Sequence, residues 1–548
     1  MRARRMIAIV TVASCLATPA VAGAARVWQP ALTITPRGAQ PGDPAAAAGT
    51  GGEGLAAFTV DHAGRAQVEA RVRVPDVRAP WARLVLSGTF PVRPPPPVAA
   101  IEPGGRAFVA WRVPGGGVRA AVRDRPRGAW RVVPVAAGGA TDDEFRSFTG
   151  AAAAMQGGTV LSTLAWAERT GGAWTVRVAR RAGTGAVWGE SPRLPLPAGA
   201  DGPSVAVAAD GTVTAAWSIP ATPAPFEGGG IQAAVATPDG GWTPTVTLSA
   251  DGLLPSAAAT SGGRAAVAWE DHGGPVPTVT VAEAGAGTTW GAPRPVAPGQ
   301  APRIAGNPSG DLAMTWAGPG TADATPILAA VRPALGAWPA PATLTAGVGL
   351  TRIEASLARV AIGGTGRAFV GVLDQEGPGS ATVVLGAARA GERWSIVGQP
   401  VGGDEFGVAI SASAGGNGLA VLPTYDPLLA RDFDGYGRPV ITAGLAGARR
   451  GGGTVAWTAV VRNRGRFTAR SVTLRLGVCC GTRLLSAHPA GVRSGPQVTW
   501  TFPHLAPGRS LTIRLTLRHP HPGPVPRLSG TVDAVARPPT FVTATARG

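Results

Sequence analysis

The side chains best placed to do chemistry are scattered carboxylates. Asp-Glu-Phe occurs at Asp143-Glu144-Phe145 and again at Asp404-Glu405-Phe406, and Asp-His occurs at Asp61-His62 and Asp271-His272. A carboxylate beside an imidazole can orient the ring and stabilise its charged form, the nucleus of many catalytic and metal sites. Neither pair has a third ligand at a fixed spacing, so no metal and no cofactor are expected. His519-Pro-His521 reads as a loop. Asp432-Phe-Asp434-Gly435 opens like a calcium loop but lacks the later Glu. No Gly-x-Ser-x-Gly elbow and no His-Glu-x-x-His helix occurs. The chemistry left to such carboxylates is recognition of cations, basic peptides or sugar hydroxyls.

Those carboxylates must be carried by a repeat. Gly105-Arg-Ala-Phe-Val-Ala-Trp111 returns at Gly211 to Trp217, Gly263 to Trp269, Gly310 to Trp316 and, without the Trp, Gly366 to Val372. A longer variant ends at Trp166. Each copy follows a turn and a run of small apolar residues, which predicts hairpins of two alternating strands. A second tryptophan series, Trp28, Trp81, Trp130, Trp188, Trp242, Trp290, Trp338 and Trp394, runs out of phase with the first. Its mean spacing is about 52 residues, a period that means a propeller or solenoid. A further apolar strand lies between the two tryptophans of a unit, giving four strands per unit and no helical periodicity. That pattern predicts a β-propeller whose small residues line the centre and whose tryptophans fill the space between sheets. Trp28 to Ile34 is an outer strand with no unit before it, and Val408 to Asp432 supplies inner strands with no outer Trp strand after them. Joining them closes a ring over residues 26–432, with eight blades favoured over seven, and removes exposed edges.

In such a ring the loops between second and third strands, and between units, share one face. The candidate binding residues Asp142, Asp143, Glu144, Glu168, Glu227, Glu270, Asp271, His272, Asp374, Glu376, Asp404 and Glu405 fall there, together with Asp61, Asp201 and Asp251. Arg106, Arg125, Arg127, Arg264 and Arg367 fall in the opposite turns. The expectation is an acidic face on a chain whose net charge is +18. Trp111, Trp166, Trp217, Trp269 and Trp316 end near that face, and packing between blades is their expected role.

Composition limits the classes further. Gly and Pro make up about 24% of the chain, just under the range of disorder, and with 45% hydrophobic residues they punctuate short strands. Every basic residue is Arg, and basic patches are not interleaved with aromatics, so nucleic acid is not expected as a partner. Met-Arg-Ala-Arg-Arg, the apolar run after it and Ala20-Val21-Ala22 read as a secretory signal over residues 1–22. The alternative, lipid attachment at Cys15 in Val12-Ala-Ser-Cys15, leaves an apolar stretch of only about nine residues. No other apolar run reaches the roughly 18 residues of a membrane span. Cys479 and Cys480 are either small strand-end residues or a vicinal disulfide, which an oxidising compartment permits.

Thr237-Pro-Asp239-Gly-Gly241-Trp242 resembles a degenerate Asp-box turn of sialidase-type propellers, and Ala286-Gly-Thr-Thr-Trp290 keeps the tail of that motif. Residues 433–439 read as a linker. Beyond it Val460-Val-Arg-Asn463-Arg-Gly465 and the later Leu505-Ala-Pro507-Gly508 turn resemble the Ig-like repeat domains of bacterial surface proteins, including the adhesion-related CARDB type. That resemblance covers 440–548 and implies a β-sandwich of about seven strands acting as spacer or stalk. Where such domains carry Leu-Pro-x-x-Gly this chain has Val478-Cys-Cys-Gly481. Sialidase-like hydrolysis would need a nucleophilic Tyr, a Glu, an Asp and an arginine triad. The only tyrosines are Tyr425 and Tyr436, and the early Arg-Ile-Pro motif is absent. The expected function is therefore that of an exported, non-catalytic propeller binding a surface glycan or protein. A glycoside hydrolase and a purely structural envelope component are the alternatives.

Overall fold

The computed structural model describes residues 28–545 apart from 29–30, 37–40, 43, 51, 63, 74–80, 103–104, 115, 126–127, 138–144, 155–159, 185–186, 221–228, 240, 286–288, 321–324, 346–357, 378–379, 402–406, 423–427, 434–440, 451–452, 464–468, 479–481, 496, 506–508, 519–526 and 534–539. The expectations for 1–22, for residues 434–439 of the linker, both tyrosines and the cysteines lie outside the described residues. So do those for Asp142, Asp143, Glu144, Glu227, Asp404 and Glu405. Phe433, read as the start of that linker, is described as the last residue of the strand Leu429–Phe433.

The described residues are all-β, with no helix among them. Antiparallel meanders, most of four strands, follow one another along the chain; the long strand Val246–Thr260 joins two of them into one seven-stranded sheet, one holds five strands, and the last is completed by Leu32–Thr33. Their first strands are Ala45–Ala48, Val98–Ile101, Phe145–Ala154, Asp201–Val207, the second half of Val246–Thr260, Gln300–Gly306, Arg359–Ile362 and Ala409–Ala412. Each of these touches the next, and the last touches the first. Only small side chains allow so close a circle, which accounts for runs such as Ala45-Ala-Ala-Ala48. The ring closes across the termini: Leu32 pairs with Ala430, Thr33 with Leu429, and Trp28 bridges Phe433. Trp28 packs edge-on against Phe369 and Phe433, with centroids at 5.8 and 5.3 Å. This is the organisation of a β-propeller.

The core is divided into clusters between neighbouring sheets. Trp111, Trp166, Trp217, Trp269 and Trp316 are each at most 1% exposed and plug those gaps. Burial of a tryptophan removes roughly 150 to 250 Å² of surface from water, so in these five units this side chain dominates the packing of a sheet made mostly of Ala and Val. Three first strands begin with a bulge at the same register. Gly202, Leu254 and Ala301 sit there at φ of 56°, 51° and 49°. The bulge re-aims the chain from one sheet into the next, and Gly suits it better than Leu or Ala.

After residue 440 two further sheets share one core. Ile441–Arg450, Thr454–Asn463, Ser510–Arg518 and Arg483–His488 form the first. Val492–Ser494, Gln497–Leu505, Ala469–Gly477, Arg527–Asp533 and Thr540–Thr545 form the second. Trp457, Val461 and Leu515 of the first sheet pack with Leu474, Leu476 and Trp500 of the second. Asn463 is fully buried and donates its Nδ2 to the Leu505 carbonyl at 2.9 Å, and its amide to the Arg509 carbonyl at 3.0 Å. The two turn motifs recognised in the sequence are thus tied to each other.

Candidate functional site

On the loop face, Glu168, Glu270, Asp271 and His272 have described side chains; Asp374 and Glu376 are described only as members of the strand Ala368–Gly377. Glu270 is 0% exposed. Its Oε1 faces His272 Nε2 at 2.7 Å, and its Oε2 accepts the amide of Ala301, the bulge residue of the next unit, at 3.2 Å. Asp271 accepts the Trp269 indole N–H at 3.1 Å and the Ser249 hydroxyl at 3.2 Å on Oδ2, and the Gly273 amide at 3.0 Å on Oδ1. Glu168 stands at the same register, two residues after Trp166, and likewise accepts that indole N–H at 3.1 Å. Its other oxygen takes Arg177 Nη1 at 2.9 Å, and Arg177 Nη2 reaches Glu190 at 2.5 Å. Burial by itself would lower the Arg177 guanidinium. The hydrogen bonds to Glu190 and Glu168 outweigh it and hold the group above its ordinary value. These carboxylates are brought to one face, and each is engaged by the fold itself: they cap indoles and brace the passage between sheets.

A second set of polar contacts, not foreseen from the sequence, lies at the ends of the third strands. Arg73 meets Asp432 at 2.7 Å across the ring closure, Arg181 meets Asp124 at 2.5 Å, and Arg332 meets Glu283 at 2.6 Å. Each joins the third strand of one sheet to that of the sheet before it. Three arginines at one register, Arg73, Arg123 and Arg332, also lie over the outer tryptophans of their own units, Trp81, Trp130 and Trp338, at 5.1 to 5.7 Å. The visible signal was an Arg six to eight residues ahead of an outer Trp. Burial pushes the Asp432 carboxyl up to about 6 in spite of Arg73, and burial also lowers Arg73. Burial would raise Asp124 too, but hydrogen bonds from Arg181 and Arg131 hold it below its ordinary value.

In the unit of Trp394 the register of those stacking arginines is occupied by Ala388, as it is by Ala236 and Ala284 in the units of Trp242 and Trp290. A cavity of 430 Å³ opens there, between the strands Ile327–Arg332 and Ala342–Thr345 on one side and residues 389–396 on the other. Its polar lining is Thr343, Arg389, Glu392 and Arg393, and its aromatic wall is the half-buried Trp394. Gly386 lets the indole lie against the sheet, since a Cβ at that position would stand 3.1 Å from Trp394 Cε3. Arg389 Nε is buried with no hydrogen-bond partner in the structure. Glu392 is held by Arg367 at 2.9 Å. A ring face, two guanidinium groups, a positioned carboxylate and a hydroxyl therefore converge on one accessible volume.

Among the described residues no group of three or more His, Cys, Asp or Glu could hold a metal ion, and no helix is long and apolar enough to cross a membrane.

Fold and groove together define a β-propeller protein with an interblade cavity. No protein-family model matches the chain, and no curated protein matches it. Similar solved structures include Sqt1 of Chaetomium thermophilum, at 12% identity over 73% of this chain and 97% of that one, with a TM-score of 0.42. The fucose-specific lectin from Aleuria aurantia gives 14% identity over 56% and 97%, with a TM-score of 0.32. The NanB sialidase from Streptococcus pneumoniae gives 8% over 63% and 67%, with a TM-score of 0.31. At these scores none of them bears on what this chain binds.

Proposed function

We propose that this is an exported, non-catalytic carbohydrate-binding protein, in which an eight-bladed propeller holds a surface glycan and an Ig-like sandwich spaces or tethers it. The closed circuit of first strands supports the blade number, and the single core shared by two sheets supports the sandwich. The observation that carries the function is the Trp394 groove. A pyranose buries its C–H face on an aromatic ring while its hydroxyls take hydrogen bonds from planar, charged groups, and this cavity supplies both. Its 430 Å³ lies within the roughly 300 to 1,000 Å³ of small-ligand sites.

The test is a glycan array followed by calorimetry on the full chain. Binding of a defined saccharide should weaken at least about tenfold, or about 1.4 kcal/mol, in Trp394→Ala and in Arg389→Ala. A saccharide that binds both variants as tightly as the parent would remove the groove from the reading, and a blank array would remove glycan binding.

A further inference from the structure

The charge of the chain is unevenly spread. Residues 440–548 hold fifteen of the fifty arginines and one of the thirty-two carboxylates, Asp533, and so +14 of the net +18. That carboxylate belongs to the second sheet.

On the first sheet, alternation sends Val455, Trp457, Ala459 and Val461, with Ile513, Leu515 and Leu517, into the core. The opposite parity faces outward, and pairing lines its members up across the strands. Arg450 pairs with Thr454, Thr454 with Arg518, and Arg518 with Arg483, forming one row. Four residues along, Thr458 pairs with Arg514 and Arg514 with His488. All four of these arginines are exposed. Strands in a sheet lie about 4.8 Å apart, so Arg518 and Arg483 leave the sheet from neighbouring positions on the same face. Like charges directly opposite one another destabilise a sheet. The row works against the fold, and an anion laid along it would relieve the repulsion.

We propose that this outer face binds a linear surface polymer carrying phosphodiester groups along its backbone. Arginine forks match phosphate oxygens two at a time, which favours phosphate over an isolated point contact. The surrounding positions, Thr454, Thr458, Thr512, Thr516 and Ser510, are small hydroxyls that donate to phosphate without blocking it. Apart from the His488 imidazole this face carries no Trp, Tyr or Phe among its described residues, so no indole, phenol or phenyl ring stands there to stack on a base. It also lacks the aromatic belt that seats a protein in a bilayer interface. The charge complementarity therefore points to a polymer read by its regular charge.

The experiment is titration of the full chain with synthetic poly(glycerol phosphate) at several salt concentrations. Saturable binding is expected, with affinity falling steeply as salt rises because bound counterions are released. The variant Arg450→Glu, Arg483→Glu, Arg518→Glu should bind at least about tenfold more weakly, with a log–log salt slope shallower by roughly three. Arg65→Glu, Arg119→Glu, Arg294→Glu makes the same change in net charge on exposed arginines of the ring and should bind like the parent. Equal loss in both variants would reduce the effect to bulk charge and overturn the site. So would absence of binding at physiological salt, or equally tight binding of duplex DNA or of phosphatidylglycerol vesicles. The milder Arg450→Gln, Arg483→Gln, Arg518→Gln variant keeps the test decisive if charge reversal disturbs folding. Trp394→Ala should leave this binding unchanged, so the groove and the face fail separately.

Discussion

The ring and the C-terminal module use arginine in opposite ways. In the ring, Arg73, Arg177, Arg181 and Arg332 are almost buried, and each spends its guanidinium on carboxylates of its own or the neighbouring sheet. Several also lie over aromatic rings. In the module the arginines of the first sheet are exposed, and Asp533 is the one carboxylate in the whole segment. The lesson is that net charge averages two unrelated devices: charge used up as internal clips, and charge left for a partner. A planar, weakly hydrated cation suits both, because it tolerates partial burial when paired and binds phosphate when not.

The largest test of this contrast is to cut a clip. Asp432→Ala leaves Arg73 buried beside the ring closure and should cost about 3 to 5 kcal/mol in denaturant unfolding. A loss under about 1 kcal/mol would make the pair no more than a surface bridge. The same carboxyl gives a pH signature. Its folded-state value of about 6 lies above the ordinary 3.8, so the folded chain holds a proton that the unfolded chain releases. Its contribution should therefore fall as pH rises from about 4 to about 6, and Asp432→Asn should flatten the stability profile over that window. Asp124, held below its ordinary value, works with the opposite sign: its contribution is present at neutral pH and lost as pH falls through the acid range.

Next in size is Glu270→Ala. It strips the Ala301 amide of a buried partner and should cost about 1 to 3 kcal/mol, with saccharide binding unchanged. Lost binding with unchanged stability would return the acidic face to the role expected from the sequence. In the module the sign should reverse. Arg483→Thr removes one of two like charges facing each other and should stabilise by about 0.2 to 1 kcal/mol, most at low salt. A loss there would mean that the module's arginines are structural after all. The smallest effect is expected at Leu254→Gly. Relief of a left-handed backbone, roughly 1 to 2 kcal/mol, is offset in part by the roughly 0.5 to 1 kcal/mol entropic cost of glycine, for a small net gain.

Much of the architecture was legible because it is written at short range. Hairpins such as Gly211 to Trp217, the second tryptophan series and the small residues of the first strands are local patterns, and a period near 52 residues needs no partner to be seen. Pairing of the Leu32 strand with Ala430 was legible for a related reason, since each terminus carried the strands the other lacked. The candidate site was far less so. Sequence placed Glu270 and Asp271 on a shared face, but their proton donors, such as Ala301 and Ser249, lie in other strands. Whether a loop carboxylate faces solvent or a neighbouring sheet is decided by packing. The Trp394 groove was missed because its tryptophan looks like all the others in the series. What sets it apart is the cavity beside it, which forms where residues 389–396 meet the strands Ile327–Arg332 and Ala342–Thr345 of the sheet before, and that meeting appears only once the sheets are packed.

The sequence by itself determined an all-β repeat chain, the places where strands turn and the side chains that must be buried, because alternation and turn chemistry are properties of neighbouring residues. Only the tertiary structure decided which charges are spent and which are left over. That depends on what stands opposite each side chain, as Asp432 stands opposite Arg73 across 359 residues, while Arg518 pairs with Arg483 and Thr454.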